Sequence, residues 1–283
     1  MIIGIIGNGF VGNATQLIKS SLIEKIYVYD IVPEKCEPQG LTLNDMVECD
    51  IIFIALPTPM NKDGSCHVDL VEKIVNDLKR IINEKVYIIV RSTVPPGTCE
   101  RLGVYFMPEF LTERSWSLDF INNKVRIFGC KNPEKDFDFK EKIQKIFTAA
   151  YSENIIKYDE CIFVGTREAE LIKYARNCFL STKVSFFNEI EEFCRKVGIN
   201  YNMIRDLVVL DERIGSSHSV VPGQDGHRGF GGTCLPKDIH ALVHEMENSG
   251  MKSIILNAVI ERNELIDRPE KDWMKDQGRT VTK

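Results

Sequence analysis

Along the first hundred and thirty positions, apolar residues come in short blocks separated by amphipathic stretches. Ile2–Ile6, Lys25–Tyr29, Asp50–Leu56, Val86–Val90 and Val125–Phe128 each read as a strand, with the near-continuous hydrophobicity of a parallel sheet covered on both faces. Between the third and fourth, HVDLVEKIVNDLKRIIN places Leu70, Ile74, Val75, Leu78, Ile81 and Ile82 at helical spacing, which predicts a crossover helix. Alternating strands and helices make βαβ units, so a doubly wound sheet is expected. From Thr166 the rhythm changes. TREAELIKYARNCFLSTKVSFFNEIEEFCRKVG contains no proline, and its first glycine is Gly198, which predicts one long helix ending at a glycine C-cap. Helical patterns return at Met203–Leu210, Ile239–Glu247 and Ile254–Ile266, the last within a linking helix over about Ser253–Arg268, and Pro222–Gly232 is a glycine-rich loop. The polar tail RPEKDWMKDQGRTVTK is expected to fray. The fold class is therefore α/β: a Rossmann-like doubly wound parallel sheet over residues 1–165, then an all-helical domain over 166–283.

Composition narrows the partners. The chain is 43% hydrophobic and 27% charged, near globular averages. A formal net charge of −5, with basic residues scattered among acidic ones, gives no basic face for nucleic acid. The apolar run Ile51–Leu56 is too short to cross a bilayer, and the N-terminus has no charged leader, so neither a membrane anchor nor a signal peptide is expected. Nine cysteines, an odd number with no Cys-x-x-Cys pair, argue for a reduced, cytoplasmic protein without a disulfide framework. His240 and His244 lie one helical turn apart, but no third ligand is spaced to complete a metal site, and none is expected.

Two stretches carry chemistry. GNGFVG supplies Gly7, Gly9 and Gly12 directly after the first strand, the arrangement that lets a pyrophosphate approach a helix N-terminus. Asp30 ends the second strand, placed to bind a ribose 2′-hydroxyl and to repel a 2′-phosphate, so NAD is favoured over NADP. The second stretch is GFGGTCLPKD. A lone cysteine is more often a small buried hydrophobe than a nucleophile. Cys234 differs in its setting: Gly229, Gly231 and Gly232 let backbone approach a ligand, while Lys237 and a helix starting near Pro236 favour the thiolate. Asp238 is placed to hold a water or orient the lysine.

Together GNGFVG, STVPPGT (92–98), MPEFLTE (107–113), AELIKYARNCFLSTKVSFFNEI (169–190), DERIG (211–215) and GFGGTCLPKD (229–238) resemble the UDP-glucose/GDP-mannose dehydrogenase family, most closely its UDP-glucose 6-dehydrogenases. The resemblance implies NAD-dependent four-electron oxidation of a nucleotide-sugar primary alcohol to the uronic acid, UDP-glucose to UDP-glucuronate, through a thioester on Cys234 in a homodimer. Thiolate addition to an aldehyde creates the oxyanion-bearing carbon that a second hydride transfer needs. The resemblance also implies cofactor contacts at Phe10, Val11, Pro57, Thr58, Ser92 and Thr93 beside the three glycines and Asp30.

Lys173 and Asn177 stand at i and i+4 on the long helix, with Asn188 farther along. By resemblance Lys173 stabilises the oxyanion, and Asn177 and Asp238 hold the water network; the pattern alone suits an exposed polar stripe equally. By resemblance Glu109, helped by Thr93, is the base in thioester hydrolysis, a task that suits a raised pKa. Glu113, Lys173, Gly231 and Arg213 are implied substrate contacts, Arg213 from across the subunit boundary, although an arginine in DERIG equally suits a surface salt bridge.

Two departures stand out. QDGHR separates Pro222-Gly223 from Gly229-Phe230, and the chain ends where family members enter a third, nucleotide-gripping domain. The alternatives are therefore a partner-dependent or non-catalytic NAD-binding subunit, or a relative acting on GDP-mannose or a UDP-N-acetyl sugar. A one-step hydroxyacid dehydrogenase would need the lysine and asparagine but not the cysteine.

Overall fold

The structure is a computed structural model that describes residues 1–283. It divides into two units, one of residues 1–58 and 68–173, the other of residues 59–67 and 174–283.

The first unit is built on a seven-stranded sheet: β1 (Ile2–Ile6), β2 (Lys25–Tyr29), β3 (Ile51–Ile54), β4 (Tyr87–Val90), β5 (Tyr105–Phe106), β6 (Val125–Cys130) and β7 (Glu160–Gly165), in the order β2-β1-β3-β4-β5-β6-β7. Side chains alternate between faces. Ile3, Ile5, Phe53, Ile89 and Phe128 pack in one core; Ile6, Ile52, Ile54, Val90 and Phe106 pack in another. The first five strands are parallel, but β6 pairs antiparallel with β5 through Phe106 and Gly129, and β7 runs parallel to β6. The expected doubly wound parallel sheet is present, with the β5–β6 pairing as its one antiparallel step. Sequence periodicity missed β5 and β7. The first is two residues long, and the second is a half-exposed edge strand. The third strand also stops at Ile54, two residues short of the expected Leu56.

Helices α1 (Phe10–Gln16), α2 (Asp69–Ile81), α3 (Thr98–Leu102), α4 (Trp116–Ile121) and α5 (Phe137–Ser152) accompany the sheet. The crossover helix α2 buries Val71, Val75 and Leu78, whereas Leu70, assigned to its apolar face, is 40% exposed. Shifting the stripe by one residue turns a helix by about 100°, enough to put Leu70 in solvent.

Helix α6 (Thr166–Val197) is one unbroken 32-residue run ended by Gly198, whose φ of +78° is the left-handed geometry expected of a glycine stop. In the second unit α6 continues with α7 (Tyr201–Val208), α8 (Leu235–Asn248) and α9 (Ile254–Arg262). Tyr174, Cys178, Phe230, Ile239 and Leu242 form this unit's main core. The expected linking helix stays α-helical only to Arg262 and then widens into a π-turn over Asn263–Asp267. No helix is long and apolar enough to cross a membrane.

The tail does not fray. Trp273 is 3% exposed, Arg268 pairs with Asp225 and Asp272, and the amide of Met60 donates to Thr280 O at 2.7 Å. Two apolar anchors in a polar stretch, Trp273 and Val281, are enough to seat it. Trp273→Ala is therefore expected to destabilise the protein by about 3 kcal/mol in urea unfolding; a change below about 0.5 kcal/mol, typical of surface positions, would show the tail to be loose.

Candidate functional site

The turn after β1 is shaped by its glycines. A Cβ on Gly7 (φ +96°) would meet Ala55 O at 2.3 Å, and one on Gly12 would meet Gly7 O at 1.9 Å. Gly9, the N-cap of α1, faces open space and is capped by no side chain. The first N–H groups of α1 therefore have no side-chain cap, the condition for holding a pyrophosphate. Asp30 is fixed by two backbone donors, Asn8 N to Oδ2 at 2.8 Å and Val32 N to Oδ1 at 2.9 Å. Its remaining lone pairs are available to ribose hydroxyls. Phe10 and Val11 open α1 half-buried, and Pro57 is exposed beside buried Thr58. Ser92 accepts from Leu56 N at 2.8 Å, which ties the loop after β4, with buried Thr93, to the loop after β3.

Still within the first unit, Glu109 and Lys173 form a buried ion pair. Lys173 Nζ donates to Glu109 Oε1 at 2.6 Å and to its carbonyl at 2.7 Å, and Leu111 N donates to Oε2 at 2.9 Å. Burial alone would raise the carboxyl; the charge and hydrogen bond of Lys173, the Leu111 amide and the charge of Arg91 outweigh it and hold Glu109 below the usual carboxylate range. The raised pKa that would suit a general base is therefore absent, and the lysine is the main reason. Glu113 is exposed in the loop before α4.

In the second unit Cys234 is the N-cap of α8, with Pro236 in the first turn and Thr233 Oγ1 3.6 Å from its sulfur. A helix N-terminus favours an anion. Asp238, buried in the same first turn, is gripped from both sides: Lys237 Nζ donates to Oδ1 at 2.5 Å and Asn177 Nδ2 donates to Oδ2 at 2.6 Å. Burial opposes the charge on Lys237, but Asp238, Cys234 and Cys66 together raise its pKa, so it stays an ammonium beside the thiol. Of the other cysteines, burial pushes Cys130 up to about 11 and Cys49 and Cys161 up to about 12, and raises Cys99 and Cys178 still further. These five are inert thiols.

The three glycines before Cys234 divide their work differently from the expectation. A Cβ on Gly229 would meet Asn263 Oδ1 at 2.3 Å, and one on Gly231 would meet the Arg268 guanidinium at 2.4 Å; only Gly232 faces open space. The first two make room for the chain itself. Asn263 accepts from Phe230 N at 2.8 Å and donates to Phe230 O at 3.0 Å, and Asn188 Oδ1 accepts from Gly229 N at 3.1 Å. The inserted QDGHR is held through Asp225 by Arg268 and through His227 by Glu270. Arg213 is 89% exposed and pairs with Asp211 in its own turn.

Sequence reading missed Glu170, Arg91, Asn263 and Arg268. Glu170 lay hidden in the charged start of α6, between Glu168 and Lys173, and Asn263 and Arg268 carried no signal either. No three His, Cys, Asp or Glu side chains are grouped to hold a metal ion, and His240 bonds Glu264 at 2.9 Å.

Comparison with known proteins adds the following. Residues 39–151 match the NAD binding domain, and residues 167–265 the central domain, of the UDP-glucose/GDP-mannose dehydrogenase family. A UDP-glucose 6-dehydrogenase of Rickettsia typhi is 34% identical over 233 residues, which cover 78% of this chain and 51% of that protein. The chain thus spans about half the length of the curated relatives it matches. Among solved structures, a UDP-glucose dehydrogenase from Pyrobaculum islandicum superposes with a TM-score of 0.80 at 27% identity, covering 93% of this chain and 68% of that one. A 3-hydroxyisobutyrate dehydrogenase of Mycobacterium tuberculosis, at 12% identity and a TM-score of 0.72 over 99% of this chain and 96% of its own, shares the fold alone. NAD, the cofactor of the matched domain, fits the open Gly9 turn and the fixed Asp30 carboxylate.

Removing the ammonium tests the electrostatics. In the native protein the lowered Glu109 pKa contributes stability that is present above the ordinary carboxyl value of 4.5 and is lost as pH falls through the folded value. Lys173→Met leaves burial unopposed by its main partner, so the folded pKa should rise and the sign reverse: the variant loses stability as pH increases. The expected cost near neutrality is about 3 kcal/mol, read from urea midpoints across pH; parallel pH profiles for the two proteins would contradict the assignment.

Proposed function

Because the chain belongs to the UDP-glucose/GDP-mannose dehydrogenase family, we propose that it takes part in NAD-dependent oxidation of a nucleotide-sugar primary alcohol to the carboxylate, with UDP-glucose as substrate and UDP-glucuronate as product. The observation that carries this reading is Cys234 at the head of α8, beside the Lys237–Asp238–Asn177 chain. A one-step alcohol dehydrogenase has no use for a thiol in that position.

One NAD, when bound, would supply the hydride acceptor for each of the two oxidation steps, so that two are reduced for each sugar. In the first step Asp238 and Asn177 hold the water that receives the alcohol proton as the C–H bond breaks, leaving an aldehyde. The Cys234 thiolate then adds to the aldehyde carbon, and Lys173 stabilises the resulting oxyanion. Loss of a second hydride leaves the acyl group on sulfur as a thioester. Glu109, with Thr93, deprotonates the water that attacks it; the C–S bond breaks, and thiolate and carboxylic acid separate. A carboxylate held ionised by Lys173 is a weak base, so Glu109 works only once the ammonium has shifted toward the oxyanion. Lys173 thereby times the base.

The reading places Glu113, Gly231 and Arg213 against the sugar nucleotide, Arg213 in the partner's site, which accords with its reach into solvent. It includes a homodimer formed through α6. Phe179, Phe186 and Phe193 recur every seven residues on that helix and are 65%, 54% and 58% exposed, an aromatic stripe of the kind that is buried between subunits. Nine free cysteines accord with a reducing, cytoplasmic setting.

Cys234→Ala and Cys234→Ser test the reading with UDP-glucose and NAD. Both variants should bind NAD as wild type does, and both should lose conversion to the acid by about 10³-fold or more, the scale of losing a covalent nucleophile; Cys234→Ala should form no thioester detectable by intact mass. Wild-type acid production by Cys234→Ala would sink the proposal. Phe186→Glu should make the protein monomeric at micromolar concentration in sedimentation; an unchanged association state would remove α6 from the interface.

A further inference from the structure

Glu170 is a fully buried acid to which the proposed mechanism gives no task. Its two oxygens take backbone donors: Gly97 N to Oε2 at 2.6 Å and Cys99 N to Oε1 at 2.8 Å. Those amides belong to the start of α3, whose N-cap, Gly97, has a φ of +96° and no side chain to offer. Glu170, distant in sequence, does the capping instead. The turn it secures is the second half of the Ser92–Thr98 loop, and Thr98 Oγ1 closes it on Pro95 O at 2.7 Å. Glu170 also precedes Lys173 by three residues, so both project from one face of α6. One turn of helix thus fixes the loop after β4 through Glu170 and the loop after β5 through Lys173 and Glu109.

We propose that Glu170 is a positioning residue: its ionised carboxylate holds the Ser92–Thr98 loop in place, and protonation frees one of the two amides and loosens the loop. The proposal rests on the functional reading only in giving Ser92 and Thr93 their tasks. The chemistry is one of donors and acceptors. A carboxylate accepts at both oxygens, whereas a carboxylic acid presents an O–H at one of them, and an O–H cannot accept from an N–H that faces it.

The surroundings favour titration near neutrality. Burial raises the Glu170 pKa to about 7, against the pull of the Cys99 and Gly97 amides, and the charge of Glu100 raises it further. Facing it from α3 are the Cys99 thiol, whose own pKa is raised so that it stays neutral, and Arg101, whose charge senses Glu170. From its own helix come Arg167, close to Gly97, and Lys173, already paired with Glu109.

Two pH effects then run in opposite directions. Because the folded pKa lies above the ordinary 4.5, the contribution of Glu170 to global stability is full below 4.5 and lost as pH rises through about 7. The hold on the loop is gained over the same rise. A merely structural buried acid gives only the first effect, so the second identifies the positioning role.

Hydrogen exchange of the full chain, followed by mass spectrometry on peptides covering residues 92–102 and corrected for the intrinsic rate, reads the hold directly at about one pH unit either side of 7. Wild type should be about fivefold more protected at the higher pH, the equivalent of one hydrogen bond of about 1 kcal/mol. In Glu170→Gln, checked for folding by its thermal transition, the pH difference should vanish. Equal protection at both pH values in wild type, which needs no variant to be folded, would overturn the proposal, as would a pH difference that persists in Glu170→Gln. None of these readings depends on turnover, so an inactive chain with the expected exchange would count against the functional reading and leave this one standing. In a chain that turns over, kcat should lose an acid limb near 7 in Glu170→Gln while KM for the sugar nucleotide stays unchanged.

Discussion

The unbroken register of α6 is the constraint on which the rest depends. Glu170, Lys173, Asn177, Ser181, Ser185 and Asn188 follow one another at three- and four-residue steps and are all buried, whereas Phe179, Phe186 and Phe193 face solvent. The helix therefore buries a polar stripe beside its apolar one of Tyr174, Cys178 and Phe187, and exposes an aromatic stripe. Four of the buried polar groups each hold a partner in place: Glu170 the amides at Gly97 and Cys99, Lys173 the carboxylate of Glu109, Asn177 that of Asp238, Asn188 the amide of Gly229. Inserting one residue would turn everything beyond it by about 100° and leave several buried polar groups unmatched at once, each at a cost of about 1–3 kcal/mol. A sequence without glycine or proline from Thr166 to Val197 is the local means to that end.

The same physics explains what could be read without the structure. The α6 span, its glycine stop and the nucleotide turn were legible because each depends on local rules: propensity, φ sign and the spacing of strand, glycines and acid. Long-range pairing was not legible. Nothing in ERNELID announces that the Asn263 amide will take both backbone groups of Phe230, and nothing in PEKDWMKDQ announces that Trp273 will be buried. The glycines at 229 and 231 were only half legible for a related reason. An absent side chain signals that something comes close without naming it, and Asn263 and Arg268 are what comes close within the chain. Two-residue β5 failed because no period can be measured over so short a run.

Electrostatics sorts the titratable groups into roles. Burial makes five of the nine cysteines inert, and Cys234 stands apart by lying at a helix N-terminus next to a charged lysine. Burial acts on both Glu109 and Glu170, yet the two end on opposite sides of the ordinary carboxyl value because one meets an ammonium and the other only neutral donors, two amides and the Cys99 thiol. An acid held ionised and an acid poised near neutrality, one turn apart in their attachment to α6, give the site two distinct responses to pH.

The number of NADH formed per sugar decides whether the oxidation is a four-electron one. Purified chain supplied with NAD and limiting UDP-glucose, with GDP-mannose and UDP-N-acetyl sugars in parallel, is followed by NADH absorbance and by the mass of the sugar product. The account predicts two NADH for each sugar consumed and a uronic acid as the product. One NADH with an aldehyde product would contradict the role given to Cys234, and no NADH from any of the sugars, in protein shown to bind NAD, would contradict the proposal that this chain carries out the oxidation.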